Sequence, residues 1–226
     1  TSTLVDTTLG LSISTYTGTG SNATIGHGLG VVPEFFMVNR LNTSGTDWMV
    51  YHSAMGATKN LVLNNTAAPS TSITRWNNTE PTSTLISLGT TTAVNGSSDT
   101  YVCYAFAPSQ FISIGSYNGN ANANGTFVPT FNSLGIPIQP VWVFVTSIGS
   151  TSNRNIYDNK RLGYNPENAQ LWSNLTTAEA TADDLDIVTG GLKMRIASDP
   201  NVNETYVYMV IGTPIIDVDG RIIAGR

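Results

Sequence analysis

Two unbroken runs of apolar and aromatic residues dominate the hydrophobic pattern of the chain. They are Thr100–Pro108 and Thr205–Pro214, and each follows a loop rich in Ser, Asn and Gly and ends at a proline. Runs of this kind are typical of β-strands that are covered on both faces. Both fall short of the roughly 20 apolar residues that a membrane-spanning helix needs. The pattern therefore predicts two central strands and no membrane crossing.

The two runs belong to a longer pattern that occurs twice in the same order along the chain. The matching segments are Tyr16–Gly18 with Tyr117–Gly119, Leu29–Gly30 with Leu134–Gly135, Phe35–Val38 with Trp142–Val145, Tyr51–His52 with Tyr157–Asp158, and Leu61–Thr66 with Leu171–Thr176. Spacing varies between these segments, as expected when loops change length and strands do not. The order predicts a tandem duplication of two units of about 105 residues, each of ordinary domain size.

Turn signals recur about every ten residues, and they favour an antiparallel sandwich over a βαβ arrangement. Short strands are predicted between them, beginning with the alternating Leu9, Leu11 and Ile13. The sequence thus predicts an all-β fold with two tandem antiparallel β-sandwich (jelly-roll-like) domains related by internal duplication. Their predicted bounds are 1–110 and 111–213.

The region after the second domain, 214–226, is predicted to form a C-terminal β-hairpin. Ile215–Val218 and Arg221–Ile223 flank Asp219–Gly220, a pair that suits the positive φ angles of a two-residue type I′ turn. The hairpin either closes the second domain or acts as an arm that adds strands to a neighbouring subunit. The best helix candidate of the chain is Thr177–Asp183, with a threonine as its N-cap.

The loop before the first central strand, Asn95–Asp99, is treated as an exposed loop. A charged substitution in it is therefore expected to change the free energy of unfolding by no more than about 0.5 kcal/mol.

Composition narrows the possible partners. Of 226 residues, 40% are hydrophobic and only 11% are charged, against about 25% in an average protein, and the net charge is −5. Nucleic-acid binding depends on clustered Lys and Arg, and the longest basic feature is Lys160–Arg161. We therefore expect no contact with DNA or RNA.

A single cysteine, Cys103, lies inside the first central strand. The chain therefore has no internal disulfide and no cysteine cluster for zinc, and Cys103 is predicted to be a core residue. The first residues, Thr1–Asp6, have neither the basic nor the apolar region of a secretory signal, so none is expected.

The residue types that usually carry catalysis are sparse and lack a recognisable motif. His27 lies in a glycine-rich loop and His52 matches Asp158 of the second repeat, so both are predicted to stabilise turns. Five aspartates of the second half lack the spacing of a calcium-binding loop and are interpreted as part of a solvated loop. They are Asp183, Asp184, Asp186, Asp217 and Asp219. We predict no enzymatic activity, no metal site and no cofactor.

The ordered series of segments resembles a repeat module of virion proteins of tailed bacteriophages, especially marine ones. The residues that carry the resemblance are Tyr16–Gly18, Gly28–Val38, Trp48–His52, Lys59–Thr66 and Tyr101–Ala107 in the first copy, and Ile156–Asp158, Leu171–Ala180 and Thr205–Tyr208 in the second. The resemblance covers nearly the whole chain. It implies a β-sandwich structural module on the exterior of the particle, with no enzymatic residues to carry over.

The function predicted on this basis is that of a virion structural protein, assembled in the host cytoplasm, whose role is capsid decoration or cementing. The expected partners are other virion proteins, in the capsid or the tail, and further copies of the chain. The alternative is a tail-fibre or tail-tip component that binds a host-surface glycan. The chain has no coiled-coil heptads and no shaft, which argues against a fibre.

Aromatic side chains in Asn-rich loops are what sugar stacking requires. The candidate contact residues for a glycan or a protein partner are therefore Arg75, Trp76, Asn77, Asn78 and Trp172. For the two tryptophans, burial in the core is the alternative interpretation.

Overall fold

The computed structural model describes residues 1–161, 165, 168–182, 184–216 and 220. It is all-β, with 45% strand and 4% helix, which confirms the predicted fold class. The chain divides into two compact units, Thr1–Ala107 and Pro108–Arg226, and the sequence had placed the boundary after residue 110. None of the described helices is long and apolar enough to cross a membrane.

The first unit is built on a seven-stranded antiparallel sheet in the order β1-β2-β9-β4-β5-β6-β7. Its strands are β1 (Ser2–Asp6), β2 (Leu11–Thr17), β4 (Phe35–Arg40), β5 (Met49–His52), β6 (Lys59–Val62), β7 (Ser70–Thr71) and β9 (Thr100–Phe106). Strand β9, the first of the two apolar runs, pairs with β2 on one side and β4 on the other. Its predicted central position is confirmed.

A second, smaller layer covers one face of this sheet. It contains β3 (Ala23–Gly26) paired with β8 (Leu85–Leu88), and two short helices, α1 (Ile73–Trp76) and α2 (Thr92–Asn95). Ile25, Ile86 and Leu88 of the small sheet share one buried cluster with Tyr101 and Cys103 of β9. Burial of apolar surface between the two layers is the main stabilising contribution expected for such an arrangement.

The second unit is built on a six-stranded antiparallel sheet in the order β10-β18-β12-β13-β14-β15. Its strands are β10 (Ile112–Asn118), β12 (Ile138–Ser147), β13 (Asn155–Asp158), β14 (Asn168–Trp172), β15 (Ala180–Ala182) and β18 (Thr205–Pro214). Strand β18, the second apolar run, lies between β10 and β12.

The covering layer of the second unit is a three-stranded sheet, which contains β11 (Phe127–Pro129), β16 (Leu185–Val188) and β17 (Gly191–Met194) in the order β11-β17-β16. Leu185, Ile187 and Leu192 of this sheet pack in one cluster with Tyr206 and Val210 of β18. Each unit thus has its own apolar core.

The central strands are buried on both faces, as the sequence predicts. In β9, Tyr101 and Cys103 face the small sheet, and Val102 on the opposite face is 7% exposed. In β18, Val207 and Met209 on the face away from the core cluster are 1% and 4% exposed. The far ends of the runs are less deeply buried, since Phe106 and Ile211 are only half-buried.

The strand order of the two large sheets agrees over six positions. The series β2-β9-β4-β5-β6-β7 of the first unit corresponds to β10-β18-β12-β13-β14-β15 of the second. The matched sequence segments lie at equivalent points of this order; Tyr51 pairs with Phe36 and Tyr157 pairs with Val143. Strand β1 has no counterpart in the second sheet within the part of the chain that is described.

Two local predictions have other outcomes. The predicted helix over Thr177–Asp183 is wrong, because residues 175–179 are irregular and Ala180–Ala182 form the edge strand β15, paired with β14. Two alanines and a threonine in β15 complete a sheet edge, so tertiary pairing overrides local helix propensity. The predicted C-terminal hairpin lies largely outside the described residues.

Candidate functional site

The first group of predicted contact residues surrounds helix α1. Trp76 is 1% exposed, its indole nitrogen donates a hydrogen bond to the Lys59 carbonyl (3.1 Å), and its ring meets that of Phe36 edge to face at 4.8 Å. A ring enclosed in this way is not accessible for stacking on a sugar. The prediction of Trp76 as a contact residue is therefore wrong, and the alternative, a core tryptophan, is confirmed.

Arg75 is half-buried and braces the loop after β8. Its Nη1 donates a hydrogen bond to Thr91 Oγ1 (2.6 Å), and its carbonyl accepts one from the Gly89 backbone (2.7 Å). Burial lowers the pKa of the guanidinium, an effect that the charge of Asp47 opposes. The side chain that sequence reasoning had assigned to a partner therefore stabilises the unit itself.

Asn77 and Asn78 end helix α1 with left-handed backbone conformations, φ 53° and 47°. Asparagine tolerates this region better than other residues with a side chain, so the turn accounts for both. The Oδ1 atom of Asn77 accepts a hydrogen bond from Asn22 Nδ2 (2.9 Å), and Asn78 is exposed. Their accessible amides remain available to a partner, but without an adjacent exposed aromatic ring from Trp76.

Trp172 lies in the other unit, at the end of β14, where it pairs with Asn155. Its side chain is half-buried, and the neighbouring Leu171 is 38% exposed. The predicted contact residues are thus distributed over two separate units, and Trp172 is the member that retains an accessible aromatic surface.

Two buried asparagines, Asn95 and Asn201, have a role that the sequence analysis missed. Asn95 is 1% exposed; its Oδ1 accepts a hydrogen bond from the Thr19 backbone (2.8 Å), and its Nδ2 donates to the carbonyls of Ser21 (2.6 Å) and Gly89 (2.8 Å). The expectation that this loop is exposed throughout is therefore wrong at its first two residues, Asn95 and Gly96, which are both buried.

Asn201 makes the equivalent contacts in the second unit. It is 0% exposed; its Oδ1 accepts from the Asn120 backbone (3.2 Å), and its Nδ2 donates to the carbonyls of Asn122 (2.9 Å) and Ile196 (2.7 Å). The recurrence of an asparagine a few residues before each central strand was the available sequence signal. Each amide side chain thus bonds to backbone groups of two loops at once.

A stacked pair of tyrosines adjoins each of these asparagines. The rings of Tyr16 and Tyr101 are 5.2 Å apart, and those of Tyr117 and Tyr206 are 5.1 Å apart. The phenol of Tyr16 donates to the Val94 carbonyl and that of Tyr117 to the Pro200 carbonyl, both at 2.6 Å. Burial raises the pKa of Tyr16 and of Tyr117, so both phenols stay protonated and act as structural donors.

A second tyrosine of each unit donates to a carboxylate. Tyr51 bonds to Glu80 Oε2 (2.6 Å), and Tyr157 bonds to Asp184 Oδ2 (3.0 Å). Burial raises the pKa of both phenols, and the adjacent carboxylate adds to the effect. Because Tyr51 and Tyr157 hold equivalent sheet positions, this pairing is also repeated.

The interpretation of the acidic residues as a solvated loop is wrong for Asp184 and Asp186. They are 7% and 5% exposed, and Asp186 forms an ion pair with Arg195, whose Nε lies 2.5 Å from Oδ2. Asp184 directly precedes β16 and accepts the bond from Tyr157 of the large sheet, whereas Asp186 lies within β16 on the face opposite Leu185 and Ile187. A buried carboxylate in either place needs a donor. Asp183, Asp217 and Asp219 lie outside the described residues, and the described ones include no group of three potential metal ligands.

Both histidines are buried and serve turns, as predicted. His27 Nδ1 accepts a hydrogen bond from the Leu29 backbone (3.3 Å) and Nε2 lies 3.1 Å from the Thr82 carbonyl, which assigns the proton to Nε2. Burial lowers the pKa of His27. His52 Nδ1 accepts from the Ala54 backbone (3.1 Å), and the matching Asp158 accepts from the Lys160 backbone (2.9 Å).

Cys103 is 1% exposed in β9, which confirms its predicted core position. Burial raises the pKa of its thiol to about 12. A thiol so enclosed stays protonated at neutral pH and is a weak nucleophile.

Among the described residues, the accessible features include loops rich in Ser, Thr, Asn and Gly and the edges of the sheets. All five residues of β1 are exposed, among them Leu4 at 73% and Val5 at 40%. Backbone groups at a sheet edge can pair with a strand of another molecule. Of the geometries present, these edges are the best suited to binding.

Fold and side chains together define an all-β protein of two antiparallel sheet units whose recurrent polar residues hold loops in place. The chain belongs to the DUF7483 family, described as a domain of unknown function, whose model matches residues 1–213. The match thus spans both units. Comparison with curated proteins and with solved structures finds no match.

Proposed function

We propose that this chain is a non-enzymatic structural protein on the exterior of a tailed-bacteriophage particle, assembled in the host cytoplasm, where it decorates or cements the capsid. The sequence resemblance to virion modules suggests the setting. The observation that carries the proposal is how the structure uses its polar residues: the buried asparagines, histidines and aspartates hold loops and turns. The accessible surface offers strand edges with few charged residues to other subunits.

We further propose that the two units arose by duplication. Support comes from four features that occur in both units and that folding does not require them to share. They are the strand order, the stacked tyrosines, the buried asparagine and the tyrosine–carboxylate bond. A duplicated chain carries two similar surfaces, and two weak contacts on one chain raise its avidity for a repetitive lattice. This arrangement suits a protein that covers a shell.

The copy number of the chain in purified phage particles tests its location. Quantitative mass spectrometry, with the major capsid protein as internal standard, should find on the order of hundreds of copies per particle for a decorating protein. A particle reconstruction should then show the two units on the capsid surface. A few copies per particle, located at the tail, would replace the decorating role with the tail role.

The alternative, a tail component that binds a host glycan, depends on the accessible ring of Trp172. Stacking on a sugar is typical of an exposed tryptophan beside polar residues. A glycan array with the purified chain tests this role, and Trp172→Ala is the informative variant because Trp76 is part of the core. Binding that Trp172→Ala abolishes in a folded protein supports the alternative, whereas an array without binding contradicts it.

A further inference from the structure

The edges of the two large sheets differ in length and protection. At one end lie β7 and β15, which have two and three residues. At the other end lie β1 with five residues and β10 with seven. Very short edge strands are a common way to prevent intermolecular pairing. The chain therefore leaves one end of each sheet suited to pairing.

The outer edge of β10 has backbone groups directed away from its sheet. Residues of an antiparallel pair alternate between those bonded to the neighbouring strand and those pointing away from it. The Gly119 amide donates to the Glu204 carbonyl, and the Gly212 amide donates to the Phe111 carbonyl, so the odd-numbered residues of this strand face β18. Ile114 and Ser116 consequently point their amides and carbonyls outwards, where no described residue pairs with them.

In the first unit the equivalent edge is occupied. Strand β2, the counterpart of β10, pairs through Ile13 and Thr15 with Leu4 and Ser2 of β1. When Tyr16 is matched with Tyr117, Ile13 is equivalent to Ile114 and Thr15 is equivalent to Ser116. A strand of this chain is thus already seen on one of two equivalent edges.

Strand β1 is itself an edge strand with an open outer side. The Gly18 amide donates to the Asp99 carbonyl and the Ala107 amide to the Gly10 carbonyl, so the even-numbered residues of β2 bond to β9 and the odd-numbered ones bond to β1. The partners of those odd-numbered residues are Ser2, Leu4 and Asp6, and the backbone groups of Thr3 and Val5 therefore point away from the sheet. The strand contains neither proline nor lysine and is exposed at every residue. Proline and lysine are two of the features by which natural edges avoid pairing, and the one charged residue of β1 is Asp6 at its end.

We propose that β1 of one copy pairs antiparallel with β10 of a second copy, which joins the seven-stranded sheet of one molecule to the six-stranded sheet of the next. The Thr3 and Val5 backbone would bond to that of Ile114 and Ser116. No existing hydrogen bond has to break, and β10 carries no charged residue. Since the two edges are different surfaces, the contact is heterologous and repeats head to tail.

The proposed function includes association between copies of the chain, and this inference names the strand edges that would make that contact. It rests on the proposed function only for its biological setting. The test uses purified full-length protein. Failure of the edge contact therefore leaves the location on the particle to the copy-number experiment, and the two outcomes are distinguishable.

Proline at one outward-facing amide on each edge provides the test. Thr3→Pro removes a donor of β1, and Ser116→Pro removes a donor of β10, both at positions where an edge strand tolerates proline. Sedimentation velocity over a concentration series should show wild-type chains growing beyond the dimer. Each variant alone should be monomeric, with an apparent dissociation constant raised at least tenfold. Circular dichroism verifies that each variant is folded.

Mixing the two variants gives the decisive result. Thr3→Pro retains an intact β10 edge and Ser116→Pro an intact β1 edge, so an equimolar mixture should form a heterodimer and nothing larger. A mixture that stays monomeric overturns the proposal, as does a wild-type chain that is monomeric at about 1 mM. Association that survives Thr3→Pro also overturns it, and indicates exchange of β1 through its inward-facing side.

A second pair of variants covers the case in which a proline variant fails to fold. Thr3→Lys and Ser116→Lys place a charge at exposed positions of the same edges, where lysine opposes strand pairing. The matched control is Thr71→Lys on β7, at the opposite edge of the first sheet. The first two should lose association and the control should keep it; equal loss in all three would contradict a contact specific to β1 and β10.

Discussion

Buried polar side chains decide how the loops of this molecule are held. Asn95 and Asn201 each satisfy one backbone amide and one carbonyl from a loop distant in sequence, and a second carbonyl from a residue five or six positions earlier in the chain. A buried amide with all its partners stabilises a loop at little net cost, whereas removal of the side chain leaves those partners unsatisfied. Substitution of Asn95 or Asn201 should therefore lower the free energy of unfolding much more than substitution of an exposed asparagine.

We predict that Asn95→Ala or Asn201→Ala lowers the free energy of unfolding by about 2 to 4 kcal/mol, because three backbone groups lose their partner in a buried environment. Urea denaturation followed by tryptophan fluorescence measures the change. Asn124→Ala is the matched control, since Asn124 is exposed, and it should stay within about 0.5 kcal/mol of wild type. A similar effect for all three variants would show that the buried amides contribute nothing special.

His27 gives the first unit a pH dependence of known sign. Its pKa in the folded chain is lowered by burial, against about 6.5 when unfolded. Above that value the imidazole is neutral in both states. As the pH falls below it, the unfolded chain takes up the proton first, so the stability contributed by neutral His27 decreases.

His27→Gln isolates this effect, because His52 and all carboxylates are common to both proteins. The unfolding free energy of wild type minus that of the variant, measured by urea denaturation between about pH 7 and pH 5, should become smaller towards low pH. A difference that is constant or that increases on acidification would contradict a neutral, buried His27.

At the scale of elements, the two long apolar strands organise the sheets. Strands β9 and β18 each have neighbours on both sides and side chains buried on both faces. A charge introduced into either face therefore has no route to water. Exposed positions of the edge strands should tolerate a charged residue, because a polar side chain there remains solvated.

Val102→Asp in β9 and Val207→Asp in β18 should each cost about 3 to 5 kcal/mol, because an unpaired carboxylate is enclosed at a buried position of a central strand. Thr213→Asp lies in β18 but at an exposed position, and should cost no more than about 0.5 kcal/mol. Thermal or urea denaturation compares the three variants. Equal destabilisation by Thr213→Asp would mean that strand position, and not burial, determines the effect.

For the whole molecule, the two units have separate cores: one cluster contains only residues before Pro108 and the other only residues after it. Units of this size with cores of their own can fold independently. A single two-state transition is then not required of the full chain.

We accordingly predict that Val102→Asp destabilises the first unit alone, so that at a urea concentration between the two transitions the first unit is unfolded and the second is folded. A two-dimensional amide NMR spectrum should retain the dispersed resonances of residues after Pro108, including the indole signals of Trp142 and Trp172, and lose those of Trp48 and Trp76. Collapse of the entire spectrum would show that the second unit depends on the first.

Hydrophobic patterning alone was enough to locate the central strands, the all-β class and the order of the matched segments. These features depend on the alternation and length of apolar runs, which are properties of consecutive residues. The turn roles of His27 and His52 were also predictable, because each bonds to the backbone two residues further along the chain.

Tertiary structure decided what the polar residues do. Asn95 and Asn78 have the same chemistry, yet one is buried and one exposed, because the partners of Asn95 lie on a loop about 75 residues away. Trp76 and Trp172 were both predicted from the sequence as contact residues. Trp76 is buried and Trp172 is only half-buried, because the residues that enclose Trp76 are distant in sequence. Which strands lie at the sheet edges, as β1 and β10 do, depends on pairings between segments that are distant in sequence. The local hydrophobic pattern does not specify those pairings.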